Sequence, residues 1–252
     1  MEWTRNTAVF CLTLALAGCS NTPDVVFDAP VVVETPQQST SSSSGTTETD
    51  NSTVSEPSAK KTAPGSVQLH MPFASQAPTG NWDPPYDEAC EEASLILVHH
   101  YLEGTSLDTN IMDKDINAMV SYEKSIGLPI DIDMHELARV AREMFGYETT
   151  VIEGNDVTIE RIERELARGI PVILPLAGQD IGNPYYSGDG PPYHVLVVVG
   201  YDDHRFITHD VGTKRGAYYT YNKDILMAAI HDWNGSIETI RIGPRRMLVV
   251  TK

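Results

Sequence analysis

The sequence predicts an α+β domain, with helices first and a largely antiparallel sheet after them. Helix-period stretches crowd the region from Glu88 to Phe145, while short β-branched runs such as Val195 to Val199 gather in the last third of the chain. With 41% hydrophobic and 21% charged residues, the chain can also supply an ordinary globular core.

The N-terminus lies outside that fold. Arg5 precedes an almost unbroken apolar run from Thr7 to Leu16. About ten residues is a signal-peptide core, well short of the roughly 20 needed to span a bilayer. The run closes on Leu16-Ala17-Gly18-Cys19, which resembles the bacterial lipobox. That resemblance implies a signal peptide over residues 1–18, cleavage after Gly18 and acylation of Cys19, and hence a membrane contact through lipid alone. With Ser20 next, it implies the outer membrane in a Gram-negative cell. From residue 19 to residue 66 the chain turns to Ser, Thr, Pro, Glu and Asp, nearly pure Ser/Thr/Gly over 39–47. Such a segment buries too little apolar surface to offset its ordering entropy. It reads as a flexible tether holding the domain on the order of 40 Å from the membrane.

Residues 67–252 suit one domain. A strand over Val67 to Phe73 leads into the Gly/Pro-rich loop Ala77 to Tyr86. A helix follows from Glu88 to Glu103, N-capped by Asp87 and stopped by Gly104. Further helices are expected near Leu107 to Ser125 and Met134 to Phe145, with Gly127 and Pro129 between them. Next come a strand at Tyr147 to Ile152, an amphipathic helix at Thr158 to Arg168 and a short buried strand at Pro171 to Leu176. A long Gly/Pro-rich loop runs from Ala177 to Tyr193. Strands Val195 to Gly200 and Phe206 to His209 flank Asp202-Asp203. A strand at Tyr218 to Tyr221, a helix at Lys223 to Ile230 and a strand at Met247 to Thr251 complete the order.

The formal net charge of -17 disfavours nucleic acid and anionic membrane surfaces as partners, since both need clustered Lys and Arg. A monomer is the expectation. There are three cysteines. If Cys11 leaves with the signal peptide and Cys19 is acylated, Cys90 stands alone, and an unpaired thiol outside the cytoplasm is a hazard unless it is used. Cys90 falls near the start of a helix whose next stretch, Ala93 to Val98, is almost wholly apolar. A helix N-terminus lowers a thiol's pKa, but Glu91 opposes it, so a cationic partner is required.

His194 is that candidate. It opens a buried strand that Pro191-Pro192 prevents from starting earlier, and so lies at a strand end beside a loop. With Asp202-Asp203 as the turn, paired positions sum to 404–406, placing His194 opposite Asp210 or a neighbour one or two places on. Opposed residues have Cβ atoms about 5 Å apart. Asp210 could then hold the imidazole's tautomer and orientation. Gln76, in the loop before the Cys90 helix, could join the Cys90 backbone N–H as an oxyanion donor, although a loop Gln more often serves only solvation.

The segments PFASQAPTGNWDPPYDEACEEASLILVHHYL (72–102), PYHVLVVVGYDD (192–203) and FITHDVG (206–212) resemble the C-thirty-nine-like cysteine peptidase family, related to the peptidases that remove double-glycine leaders from bacteriocins. The resemblance implies a papain-like fold with Cys90 as nucleophile, His194 as general acid/base, Asp210 as orienting residue and Gln76 in the oxyanion hole. It implies no metal or organic cofactor. Val211 departs from the Pro that many members carry after the acid, which touches the turn and not the chemistry. The implied activity is peptide or related amide hydrolysis through a thioester acyl-enzyme. A cell-wall amidase or transpeptidase with the same triad, or a silent peptide-binding surface module, are the alternatives.

Other candidates are weaker. His99 and His100 point about 100° apart on a helix and do not readily share one ion. His135-Glu136 lacks the second His of the zinc-protease motif, and the Asp131-Ile132-Asp133 start of a calcium loop would place Arg142 at the twelfth position. Trp82, Tyr185 and Tyr186 sit in Gly/Pro-rich loops and could line a peptide cleft or merely pack the surface. Ser94 reads as a small packing residue and the Glu160 to Arg168 charges as a solvated face.

Overall fold

The computed structural model describes residues 65–252, all within the unit Ser58–Lys252. The expected signal peptide, Cys19 and the expected tether up to residue 64 lie outside the described residues.

Three helices come first: α1 over Cys90–Glu103, α2 over Thr109–Ser125 and α3 over Met134–Phe145. Asp108 caps α2 by accepting from the N–H groups of Asn110 and Ile111. Asp133 caps α3 in a reciprocal box with Glu136, so each satisfies the other's orphan backbone donor. Helices α1 and α3 end on Gly104 and Gly146, both left-handed. The strands are β1 (Val67–Gln68), β2 (Glu148–Glu153), β3 (Val172–Ala177), β4 (Tyr193–Tyr201), β5 (Arg205–His209), β6 (Tyr219–Asn222) and β7 (Arg246–Thr251). Helices α4 (Ile159–Leu166) and α5 (Lys223–Ala229) are short.

The strands form one sheet in the order β2-β7-β3-β4-β5-β6, with β1 also paired to β4 and every pairing antiparallel. Helices first and an antiparallel sheet after them is the α+β class expected. Strand β4 is buried at every residue, as its unbroken apolar run requires. Helix α1 packs on β4 through the buried face Ala93 to Val98, and Ser94 Oγ donates to the Val195 carbonyl at 3.2 Å. That bond ties the Cys90 helix to the residue after His194.

Two expectations need correction. The first strand pairs over two residues, not over 67–73. Leu69 N–H still reaches Val199 O at 2.7 Å, but beyond it the Met71 carbonyl accepts from the His209 ring and the Tyr218 hydroxyl, so side chains replace the ladder. Helix α1 starts at Cys90, with Ala89 as an N-cap that makes no side-chain bond, so Asp87 does not cap it. The N–H groups of Tyr86 and Glu88 are taken by Asp83 O and Pro85 O. Those turns keep the chain out of helical geometry until Ala89.

Candidate active site

As the first helical residue, Cys90 has a backbone N–H with no carbonyl partner inside α1; the earliest helical bond runs from Ala93 N–H to Ala89 O at 3.0 Å. This free donor points from the helix end where Cys90 lies. His194 stands near the start of β4, paired to Leu176 of β3 on one side. Behind it runs Gly178, where a Cβ would lie 2.6 Å from Pro191 O and 2.8 Å from His194 Cβ, so only glycine admits that approach.

On the other side, Val197 faces His209, and a bulge separates Val198 from Gly200. Extending the register past the end of β5 places Gly212 opposite His194, the far end of the expected range. Asp210, two residues earlier, leans back so that His194 Nε2 meets Asp210 Oδ1 at 2.9 Å. Gly212 leaves the space for this: a Cβ there would sit 2.9 Å from His194 Cε1 and 3.3 Å from Asp210 Oδ1.

Asp210 is fully buried and heavily bonded. Oδ1 also accepts from Gly212 N–H at 3.0 Å, and Oδ2 accepts from Asn183 Nδ2 at 2.8 Å, Tyr186 OH at 2.7 Å and Tyr221 OH at 2.5 Å. Burial alone would raise its pKa; the His194 charge and the donated hydrogen bonds outweigh that and hold it at about 2. The ionised acid and its bond leave Nδ1 as the ring nitrogen free for proton transfer.

Gln76 is buried, and its backbone N–H donates to Val211 O at 2.9 Å, joining the loop before α1 to the residue after Asp210. Its amide nitrogen donates to Tyr86 O at 3.0 Å and more loosely to Asp87 O at 3.4 Å, while Oε1 is buried without a partner. Gln76, Cys90 and His194 all line one cleft of about 650 Å³. Trp82, Tyr185 and Tyr186 line it too, so all three aromatic candidates reach the cleft. Trp82 and Tyr185 are 46% and 44% exposed, and the Arg215 guanidinium lies 4.9 Å over the Tyr185 ring. Tyr186 has a second attachment through its hydroxyl to Asp210.

The thiol's environment is less simple. Cys90 Sγ donates to Glu91 Oε2 at 3.0 Å and makes no hydrogen bond to His194 among the described residues. Burial, then the Glu91 charge, push the thiol well above its usual pKa, against a lowering contribution from the Val195 N–H. Glu91 is thus the opponent that its sequence position suggests.

Sequence reasoning missed Asn183 and Tyr221 as supports of Asp210, and Gly212 as the residue that makes room for the imidazole. Nothing in the spacing of the 177–193 loop distinguishes Asn183 from its polar neighbours. The histidines weighed for metal have separate partners: His99 with Tyr147, His100 with Thr105 and Asp115, and His135 with Glu153. Among the described residues no group of three or more His, Cys, Asp or Glu is placed to hold a metal ion.

The model of the Peptidase_C39 like family matches residues 68–236. No curated protein matches. Among solved structures, a C39-like peptidase from Bacillus anthracis is similar at 14% identity and a TM-score of 0.50, over 74% of this chain and 98% of that one. Xylellain, a cysteine protease from Xylella fastidiosa, is similar at 14% identity and a TM-score of 0.37, over 75% of this chain and 87% of that one. With its matched segment covering most of the described domain, from the first strand past the last short helix, the chain belongs to the Peptidase_C39 like family and is a cysteine peptidase.

Proposed function

We propose that this chain hydrolyses peptide bonds through a thioester acyl-enzyme formed on Cys90. The observation that carries the reading is the buried His194–Asp210 pair at a cleft that also holds Cys90 and Gln76. His194 Nδ1 takes the thiol proton, and the thiolate attacks the scissile carbonyl carbon. The Cys90 N–H and the Gln76 amide, exchanging its looser bond to Asp87 O, receive the oxyanion. The imidazolium protonates the departing amine, the C–N bond breaks, and water activated by the same nitrogen releases the acid. Asp210 keeps Nε2 protonated throughout.

Trp82 and Tyr185 would contact substrate side chains at the cleft mouth. Lipid on Cys19 would hold the enzyme outside the cytoplasm, so that its substrates are peptides of the envelope or surroundings. The lipobox-like run 16–19 motivates that placement, and loss of fatty-acid labelling in Cys19→Ser tests it.

An active-site-directed thiol probe is expected to label Cys90 in the wild type and not in His194→Ala. A folded, reduced protein that takes no label would overturn the reading. Wild type and Cys90→Ala, screened against peptide libraries and purified peptidoglycan, then identify the substrate. Cleavage of peptidoglycan alone would move the assignment to a wall amidase.

A further inference from the structure

Glu91 has no part in the mechanism above, yet it hydrogen-bonds the thiol whose proton that mechanism must move. One of its oxygens accepts from the Cys90 thiol at 3.0 Å and the other from the Ile132 backbone N–H at 3.1 Å, and the residue is 0% exposed. Apart from His194, which lines the same cleft as Cys90, the ionisable groups acting on Glu91 and the thiol are acids and a tyrosine. Glu92 follows it on α1, Glu123 faces it from α2, and Asp131 lies in the chain before α3. Tyr193 of β4 adjoins both Glu91 and Cys90, and its hydroxyl donates to Ile132 O and Asp232 Oδ1. Arg246 is held by Asp133, Glu153 and Asp232. A thiolate beside an ionised Glu91 would therefore be two anions in contact in a buried site, with the one imidazolium of His194 to balance both.

We propose that Glu91 is a further acid–base group of this active site, which must itself carry a proton for Cys90 to become a thiolate. The inference rests on Cys90 being the nucleophile. In its ionised form Glu91 accepts the thiol's hydrogen bond and keeps the sulfur protonated. In its neutral form it donates an O–H to the sulfur, and the Sγ proton passes to His194 Nδ1, with no net proton gained or lost. When one proton then leaves to solvent, the imidazolium returns its proton to sulfur and Glu91 remains as the carboxylate. Burial and the neighbouring Glu92 push the Glu91 carboxyl well above the usual range, which extends its neutral form upward in pH.

The test follows the ultraviolet thiolate absorbance and the iodoacetamide alkylation rate of the full chain against pH, with Cys90→Ser as the blank. In the wild type, thiolate is expected at low pH, to decline as Glu91 ionises, and to return only in strong alkali. Glu91→Gln stays neutral at every pH and still accepts from Ile132, so it keeps its plateau where the wild type has lost about tenfold in alkylation rate. A wild-type thiolate signal that only rises with pH overturns the proposal without needing the variant, and so do identical profiles in the two proteins. If Cys90 is not alkylated at any pH, the nucleophile assignment falls as well.

Discussion

Asp210→Asn keeps the shape of the side chain and removes its charge and one acceptor. Oδ1 serves His194 and Gly212, and Oδ2 serves Asn183, Tyr186 and Tyr221. An amide can match only one of these sides. With its nitrogen on the Oδ2 side, the two hydroxyls can turn to accept, but the Asn183 amide cannot flip without losing the bond from Tyr185 N–H to Asn183 Oδ1 at 2.9 Å. With its nitrogen on the Oδ1 side, it confronts the Gly212 N–H and makes His194 present Nε2 as an acceptor. The ring proton then occupies Nδ1, the atom that must take the thiol's proton. Either arrangement leaves a buried donor unpaired, at a cost of about 1–3 kcal/mol. Loss of the correct tautomer and of the counter-charge is expected to lower kcat by about ten-thousandfold, the scale known for such a change in a catalytic triad. A fluorogenic peptide and urea unfolding measure the two effects. A second readout comes from acid. The folded pKa of about 2 lies below the ordinary 3.8, so the charged form's stabilisation is complete above about pH 4 and disappears as pH falls through about 2. That contribution is worth roughly 2 kcal/mol and should be absent from the variant's acid profile. A folded Asp210→Asn enzyme with kcat within about tenfold of wild type would refute the orienting role.

Gly212→Ala would put a methyl group 2.9 Å from His194 Cε1 and 3.1 Å from Tyr186 Cε1. The imidazole must shift, and kcat/KM is expected to fall by about a hundredfold while thermal unfolding moves modestly; unchanged kinetics would show that the ring position has slack. Glu123→Gln tests the buried acid pair between α1 and α2. Burial, then Glu92, push the Glu123 carboxyl up to about 10, and burial takes Glu92 to about 7. Above about pH 4.5 the unfolded Glu123 is ionised and the folded one protonated, so folding takes up a proton and stability falls as pH rises toward 10. The variant is expected to gain about 1–3 kcal/mol over wild type at pH 8 in urea unfolding, and to gain little at pH 4. An equal gain at both would remove ionisation as the cause.

The sequence by itself determines most of the frame around the site. The apolar run after Cys90 requires a buried helix, and the run after His194, stopped by Pro191-Pro192, requires a buried strand beginning there. The Asp202 turn brings His194 near positions 210–212 because hairpin register follows from loop length. Each of these rests on periodicity or turn chemistry within a short stretch of chain.

What only the tertiary structure decides is the environment those residues meet. The bulge near Gly200 shifts the hairpin so that Gly212 opposes His194; there β1 approaches so closely that a Cβ on Gly200 would lie 2.4 Å from Val67 O. The supports of Asp210 come from residues 27, 24 and 11 positions away, which no local pattern connects to it. Glu91 can be read as a charge beside Cys90, but only the fold buries it and brings the Ile132 N–H, 41 residues on, to its carboxylate. Backbone periodicity is encoded between neighbours in sequence, whereas hydrogen-bond partners, desolvation and proton affinity depend on neighbours in space. Hence the sequence places the thiol, the imidazole and the acid, and only the packed structure shows which group the thiol bonds.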